Sequence, residues 1–318
     1  MGEIAELIHY LIVAFIIGIN SIAVGIGEGL ASAAAVEAIN RQPKAASEIR
    51  NCSVLGMALI ETAAIIGVTI SIIILSGTAQ KNIYFGIAEI GIALAICFAG
   101  FAIGLASSWP AKKACMAIAR QPFASKKIVQ FMLITQTIIQ TPIIFGFIIA
   151  LFIKMQAANA SSMADGLRLL ASGLAIGLGS VGPVIGLSEF GATACESLGI
   201  NRKSSNQILS FTFISEAIIE TPVIFALIVS FTLLFIVKSS SDIVTGVAYL
   251  ASAISIGLGT LGPGISSGRT ASAACRQIAH NPEHYSLISR ISMFGQGLID
   301  TSAIYALVVS FGLMFFAR

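Results

Sequence analysis

The sequence predicts an all-α membrane protein whose eight transmembrane helices form four parallel helical hairpins. Three observations lead there. Of the 318 residues, 56% are hydrophobic and only 10% are charged, where soluble domains carry about 25% charge. Long apolar runs alternate with short polar loops, and each run exceeds the ~20 residues that span a bilayer. A triplet also recurs inside those runs, as Ile60-Glu61-Thr62, Ile139-Gln140-Thr141, Ile219-Glu220-Thr221 and Ile299-Asp300-Thr301, at spacings of 79, 80 and 80 residues. A period of that length marks a tandem repeat, and repeats set the architecture.

The repeat divides the chain into units 1–78, 79–158, 159–239 and 240–318. Helices are expected over 5–40 and 46–76, 84–119 and 125–154, 164–200 and 204–237, and 244–279 and 285–317. The first helix of each pair is long enough to project beyond the membrane. Two spans per unit make all four units parallel. The loops within units hold Arg41, Lys44, Arg50, Lys112, Lys113, Arg120, Lys126, Lys127, Arg202, Lys203, Arg269, Arg276 and Arg290. The loops between units hold only Lys81, Lys154, Arg168 and Lys238. That bias places the within-unit loops in the cytoplasm and both termini on the other side.

The first helices are rich in small residues, with Gly18, Gly25, Gly27 and Gly29 in the first unit. The third has Gly177, Gly179, Gly182 and Gly186, and the fourth Gly257, Gly259, Gly262, Gly264 and Gly268. Small residues let membrane helices approach closely, so a tight inner layer is expected. The second unit has only Gly91, Gly100 and Gly104, and Trp109-Pro110 is expected to interrupt its first helix. Bulk sits on the second helices, at Phe145, Phe147, Phe152, Phe225, Phe231, Phe315 and Phe316, which suits a wider outer layer.

Several classes are excluded. The net charge is only +3, and no dense basic patch mixed with aromatics points to nucleic acid. The acidic start at Glu3 and Glu6 fits neither a signal peptide nor a myristoylation site. The five cysteines show no Cys-x-x-Cys pair; Cys115, Cys195 and Cys275 fall at equivalent positions and read as packing residues. No metal site and no cofactor is expected, and no phosphate-binding loop occurs.

Chemistry concentrates on the triplets. An ionisable group inside a membrane span is costly and marks a functional site by default, and Glu61, Glu220 and Asp300 are three at one period. Asp300 lies ten residues past Arg290, roughly 15 Å deeper and near mid-bilayer. Folding each hairpin at its loop brings Glu61 level with Glu28, Gln140 with Ser107, Glu220 with Leu187 and Asp300 with Ser267. Glu61 and Glu28 would then share a proton or hold a cation. Thr301, Ser302 and Tyr305 offer oxygens to Asp300, whereas Glu220 is followed by Thr221, Pro222 and Phe225, a drier set. One turn before the acids stand Gln136, Glu216 and Gln296, and Glu216 with Glu220 makes a second carboxyl pair. Each Thr after an acid has a plainer role open to it, bonding its own helix backbone. Gln140, with Ser107 facing it, reads as a degenerate site.

Taken together, these residues resemble the proteolipid c subunit of F-type and related rotary ATPases. The resemblance rests on a Gly-rich first helix, a buried Glu or Asp midway down the second, and the loops Arg41-Gln42-Pro43, Arg120-Gln121-Pro122 and His280-Asn281-Pro282. Gly182-Pro183 and Gly262-Pro263 repeat a further element of it. The match covers the whole chain as four tandem hairpins, where the usual member is one. The third unit departs with Ile200-Asn201-Arg202, and the second lacks the acid, as in vacuolar and archaeal proteolipids.

The resemblance implies an arc of a rotor ring in an energy-coupling membrane, such as a bacterial inner membrane. Glu61, Glu220 and Asp300 would carry ions, loaded while facing lipid and ionised opposite a cationic residue on the stator a subunit. Glu28, Thr62, Thr221, Ser267, Gln296, Thr301, Ser302 and Tyr305 would support them. Arg41, Gln42, Pro43, Arg120, Gln121, Pro122, Asn281 and Pro282 would dock the central stalk. The partners implied are further copies in a ring, stator, stalk and lipid; ATP chemistry would lie in the partners, the chain itself being non-catalytic. Protons are favoured over Na⁺ because every site in one rotor must carry the same ion, and the site at Glu220 is dry. One missing acid in four would mean fewer ions per turn, which favours ATP-driven pumping.

The rival class is a secondary transporter built from parallel repeats. Such folds need broken helices and a varied polar cavity at the midplane, and the striped glycines and two-helix units do not supply them. A purely structural proteolipid would leave the three periodic carboxylates unexplained.

Overall fold

In a computed structural model the described residues are 2–77, 80, 82–237 and 239–316. The 78/79 unit boundary, Lys81, Lys238 and the last two residues of the fourth unit lie outside them. The first hairpin consists of α1 (Gly2–Arg41), α2 (Ala46–Ile60) and α3 (Thr62–Leu75). The second consists of α4 (Ile83–Ala106), α5 (Ser108–Arg120), α6 (Ser125–Ile139) and α7 (Thr141–Ala157). The third pairs α8 (Met163–Ile200) with α9 (Ser205–Phe231), which runs into a π-helical turn at Thr232–Ile236. The fourth pairs α10 (Ile243–His280) with α11 (Tyr285–Phe316). Among the described residues, eight helical stretches are long and apolar enough to cross a membrane.

Local chemistry sets the ends. Asn82, Ser162 and Asp242 cap the first helices of the last three hairpins, each side chain accepting from a backbone N–H of the first turn. The hairpin loops are one 3₁₀ turn each, at Pro43–Ala45, Pro122–Ala124, Arg202–Ser204 and Pro282–His284. Three start on proline, which presets the first dihedral. The third has Arg202 instead and makes the same turn; Asn201 supports it by accepting from Lys203 N–H at 3.0 Å. The interruption expected at Trp109-Pro110 occurs at Ser107, because Pro110 has no N–H for the Ala106 carbonyl. The outer helix of the second hairpin turns at Gln140 for the same reason, since Pro142 has no N–H for the Ile138 carbonyl. At Glu61 no proline follows, and the backbone stays right-handed (φ −63°, ψ −21°).

The first helices stand side by side in the order α1, α4–α5, α8, α10 and make the most extensive contacts in the molecule. Glycine permits this. A β-carbon on Gly173 would overlap the Gly91 carbonyl, and one on Gly186 would overlap the Gly264 carbonyl. Each second helix packs on its own first helix and touches its outer neighbours far less. Four parallel hairpins with a tight inner layer and a splayed outer one form an arc.

Two expectations about charge change. Most cations assigned to loops sit on helix ends: Arg50 on α2, Lys112, Lys113 and Arg120 on α5, Lys126 and Lys127 on α6, Arg269 and Arg276 on α10, and Arg290 on α11. The loops are only turns, so the helices carry these charges. Lys154 and Arg168, counted between units, lie on α7 and α8 in polar clusters. Lys154 Nζ donates to Glu89 at 2.9 Å, and His9 Nδ1 lies 2.9 and 3.1 Å from the same carboxylate. Both His9 and Glu89 are buried. Arg168 donates to the carbonyls of Leu233 (2.7 Å) and Leu234 (3.1 Å) and lies 3.9 Å from Asp165, which also accepts from Ser239. Trp109 lines a cavity of about 250 Å³ with Lys112, Lys113 and Arg276, built only from inner-layer helices. All five cysteines are free and buried.

Candidate functional site

The four triplets occupy equivalent places midway along the outer helices, yet their surroundings differ. Asp300 is 7% exposed and accepts from the Ser267 hydroxyl of α10 at 3.3 Å. Glu61 is exposed on the outer face of the first hairpin, within electrostatic reach of Glu28 on α1. Glu220 is half-buried and lies within electrostatic reach of Thr141 on the preceding hairpin. Gln140 is 5% exposed, and its amide donates to the Leu59 carbonyl at 3.0 Å, again on the preceding hairpin. Gln140 and Glu220 thus reach the preceding hairpin, whereas Asp300 and Glu61 meet residues of their own.

The supporting residues divide. The Thr221, Thr301 and Ser302 hydroxyls donate to Ala217, Leu298 and Ile299 carbonyls at 3.1, 2.6 and 2.7 Å. They satisfy their own helices, which is what hydroxyls inside an apolar helix do when no nearer acceptor exists. Tyr305 is 68% exposed, and no hydrogen bond joins it to Asp300 among the described residues. Gln296 donates to Ser292 (3.0 Å) and Ser215 (3.4 Å), not to Asp300. Ser107 is engaged by Gln136, at 3.3 Å to its hydroxyl and 2.8 Å to its carbonyl, not by Gln140. Thr62, beside Glu61, is half-buried.

A family model for the C subunit of ATP synthase matches residues 11–74, 90–153, 170–233 and 250–313. The chain belongs to the ATP synthase C-subunit family. Each match spans one hairpin and contains one of the four triplets, so this is a c subunit fused in tandem four times. An ATP synthase c subunit of Dehalococcoides mccartyi is 40% identical over 73 residues, 23% of this chain and 96% of that protein. One of Chloroflexus aurantiacus is 35% identical over 71 residues, 22% and 93% respectively. Another, of Cereibacter sphaeroides, is 42% identical over 66 residues, 21% and 80%. Family membership makes the chain an integral membrane rotor subunit of an ATP synthase.

Two features of this c subunit escape a reading of its sequence. Thr141 stands there only as the residue after Gln140, whereas the fold gives it to Glu220. The signal for that is the repeat itself, since a tight inner layer brings equivalent positions of adjacent hairpins together. The His9–Glu89–Lys154 cluster has no counterpart in the period and cannot be found from it; its three residues are far apart in sequence. On the loop side, Arg41 pairs with Glu37 at 2.5 Å, Gln121 donates to Ile200 O at 3.2 Å, and Asn201 to Ala279 O at 3.0 Å. These amides tie the second and third loops to the next hairpin. Arg41, Pro43, Arg120 and Asn281 are exposed, Gln42 and Pro122 partly so, and Phe123 is 93% exposed beside them.

Proposed function

We propose that this rotor chain carries protons on Glu61, Glu220 and Asp300, and that Gln140 carries nothing. The observation that carries the reading is the placement of three carboxyls at one period on the outer helices, with an amide in the fourth place. A carboxyl crossing lipid travels uncharged because burying the ion is costly, and it releases its proton opposite the stator cation. Protons are favoured over Na⁺ by the hydroxyls. A sodium cage needs several oxygens turned inward, whereas Thr221, Thr301 and Ser302 bond their own backbones and Tyr305 faces outward. The loop residues Arg41, Gln42, Pro43, Arg120, Gln121, Pro122, Asn281 and Pro282 meet the central stalk in the cytoplasm, and both termini lie on the opposite side.

Glu61 completes its site from another copy. Thr141 of the second hairpin stands near Glu220 of the third; the residue at the equivalent place beside Glu61 is Thr301 of a neighbouring chain in the ring. The test is labelling of the purified ring by a carboxyl-directed carbodiimide, resolved by site. Modification of residues 61, 220 and 300 that is indifferent to Na⁺ is expected. Protection by Na⁺ at neutral pH would assign the rotor to sodium instead.

A further inference from the structure

Glu216 is the titratable group left unused by this mechanism. It lies on α9 one helical turn before Glu220, on the side of the Arg202–Ser204 turn. It is fully buried, and neither carboxyl oxygen has a hydrogen-bond partner. Its counterparts in the second and fourth hairpins, Gln136 and Gln296, are also fully buried, and each leaves its Oε1 unpartnered. Their amide groups are nevertheless used, Gln136 donating to Gly56 O and Ser107, Gln296 to Ser215 and Ser292. The third hairpin places a carboxyl where the second and fourth place an amide of the same shape and the first places Met57.

The facing helix explains why a group is needed there. Asp300 has the Ser267 hydroxyl across the hairpin and Glu61 has Glu28. Across from Glu220 stands Leu187, which offers nothing. The groups near Glu216 are Glu220 on its own helix and the Cys195 thiol from α8. No Lys, Arg or His forms an ion pair with it among the described residues. An ionised carboxylate with neither donor nor cation cannot be kept in such a place cheaply, so Glu216 retains its proton. A turn apart on one helix face, the two side chains are neighbours.

We propose that Glu216 is a positioning residue for Glu220, a fixed proton-holding group whose O–H donates to the Glu220 carboxylate each time Glu220 has released its proton. The inference rests on Glu220 being a carrier. No proton is transferred from Glu216; one hydrogen bond forms as the Glu220 proton leaves, and it breaks when Glu220 is reloaded. The structure, in which Glu216 has no hydrogen-bond partner, corresponds to the loaded state.

The experiment is site-resolved carbodiimide labelling of intact rings across pH, in wild type, Glu216→Gln and Glu216→Leu. The reagent reads the protonated carboxyl. Losing one hydrogen bond to a charged group changes an equilibrium roughly tenfold. Glu220 in Glu216→Leu is therefore expected to stay half-labelled at about tenfold lower proton concentration, with a smaller change in the same direction in Glu216→Gln. Glu61 and Asp300, read in the same rings, stay where they were and report an intact fold. An unchanged Glu220 profile, or one moved toward acid, overturns the proposal. Should Glu216→Leu fail to assemble, Glu216→Gln decides alone, because glutamine already occupies the equivalent position twice. If Glu220 is unlabelled even in wild type, the carrier reading falls rather than this one.

Discussion

The Gln140 amide donates to the Leu59 carbonyl between two hairpins, which shows what an acid there would meet. A protonated glutamate in its place has one O–H for that carbonyl and nothing else to bond. Gln140→Glu is accordingly expected to fold and to add a fourth carrier to the three. Ions moved per ATP, measured in reconstituted vesicles, should rise by about one third, as a carrier ratio of four to three requires, if no other proteolipid joins the ring. No change would mean the position cannot load. A different risk attaches to Glu89, which holds His9 and Lys154 in one buried cluster. Removing one member of a buried charged network strands the others. Glu89→Ala should lower stability by about 3 kcal/mol, seen as a lower unfolding temperature of the chain in detergent, with Glu89→Gln between it and wild type.

Among the elements, the inner helices are held by backbone approach rather than by side-chain bulk. Gly186 on α8 meets the Gly264 carbonyl, and Gly268 on α10 meets Gly186 in return. A leucine at 186 has no rotamer that avoids α10, so the two helices must separate. Overpacking of this kind typically costs about 1–3 kcal/mol, and a contact through backbone lies at the upper end because no flexible neighbour can yield. Gly186→Leu should therefore destabilise the isolated chain itself, measurable by thermal unfolding before any ring forms. The outer helices tolerate more. Their turns at Glu61 and Gln140 and the internal Pro222 of α9 change direction locally without breaking the hairpin.

At the scale of the molecule, the arc has two edges that match. Gly25 and Gly29 on α1 face open space, as does Gly262 on α10. Their repeat counterparts do not. Gly264, equivalent to Gly25, packs on Gly182 and Pro183; Gly268, equivalent to Gly29, packs on Gly186; and Gly182, equivalent to Gly262, packs on Leu261. The inner-layer contact made three times inside the chain between first helices is thus left waiting at both ends, in a head-to-tail form that closes rings. Gly25→Leu or Gly262→Leu should leave the chain folded and prevent assembly, read as monomers in native mass spectrometry. Rings that still form in both would show that the edges do not meet in this register. The contrast with Gly186→Leu separates assembly from folding.

The sequence alone determined the number of spans, their pairing into parallel hairpins and the equivalence of Glu61, Gln140, Glu220 and Asp300. Those follow from apolar length and from period, both written along the chain. It also showed which facing residue two of the carboxyls meet, since Ser267 and Glu28 follow from folding a hairpin at its loop. What it did not determine was where side chains turn once packed. Thr301 and Ser302 looked like ligands by composition, but their hydroxyls found a carbonyl on the preceding turn of their own helix, a nearer acceptor than any across the site. Thr141 comes near Glu220, and Glu216 is left without a partner, because the glycine contacts of the inner layer set how closely one hairpin meets the next. That spacing is a property of packed backbones, and only the tertiary structure decided it.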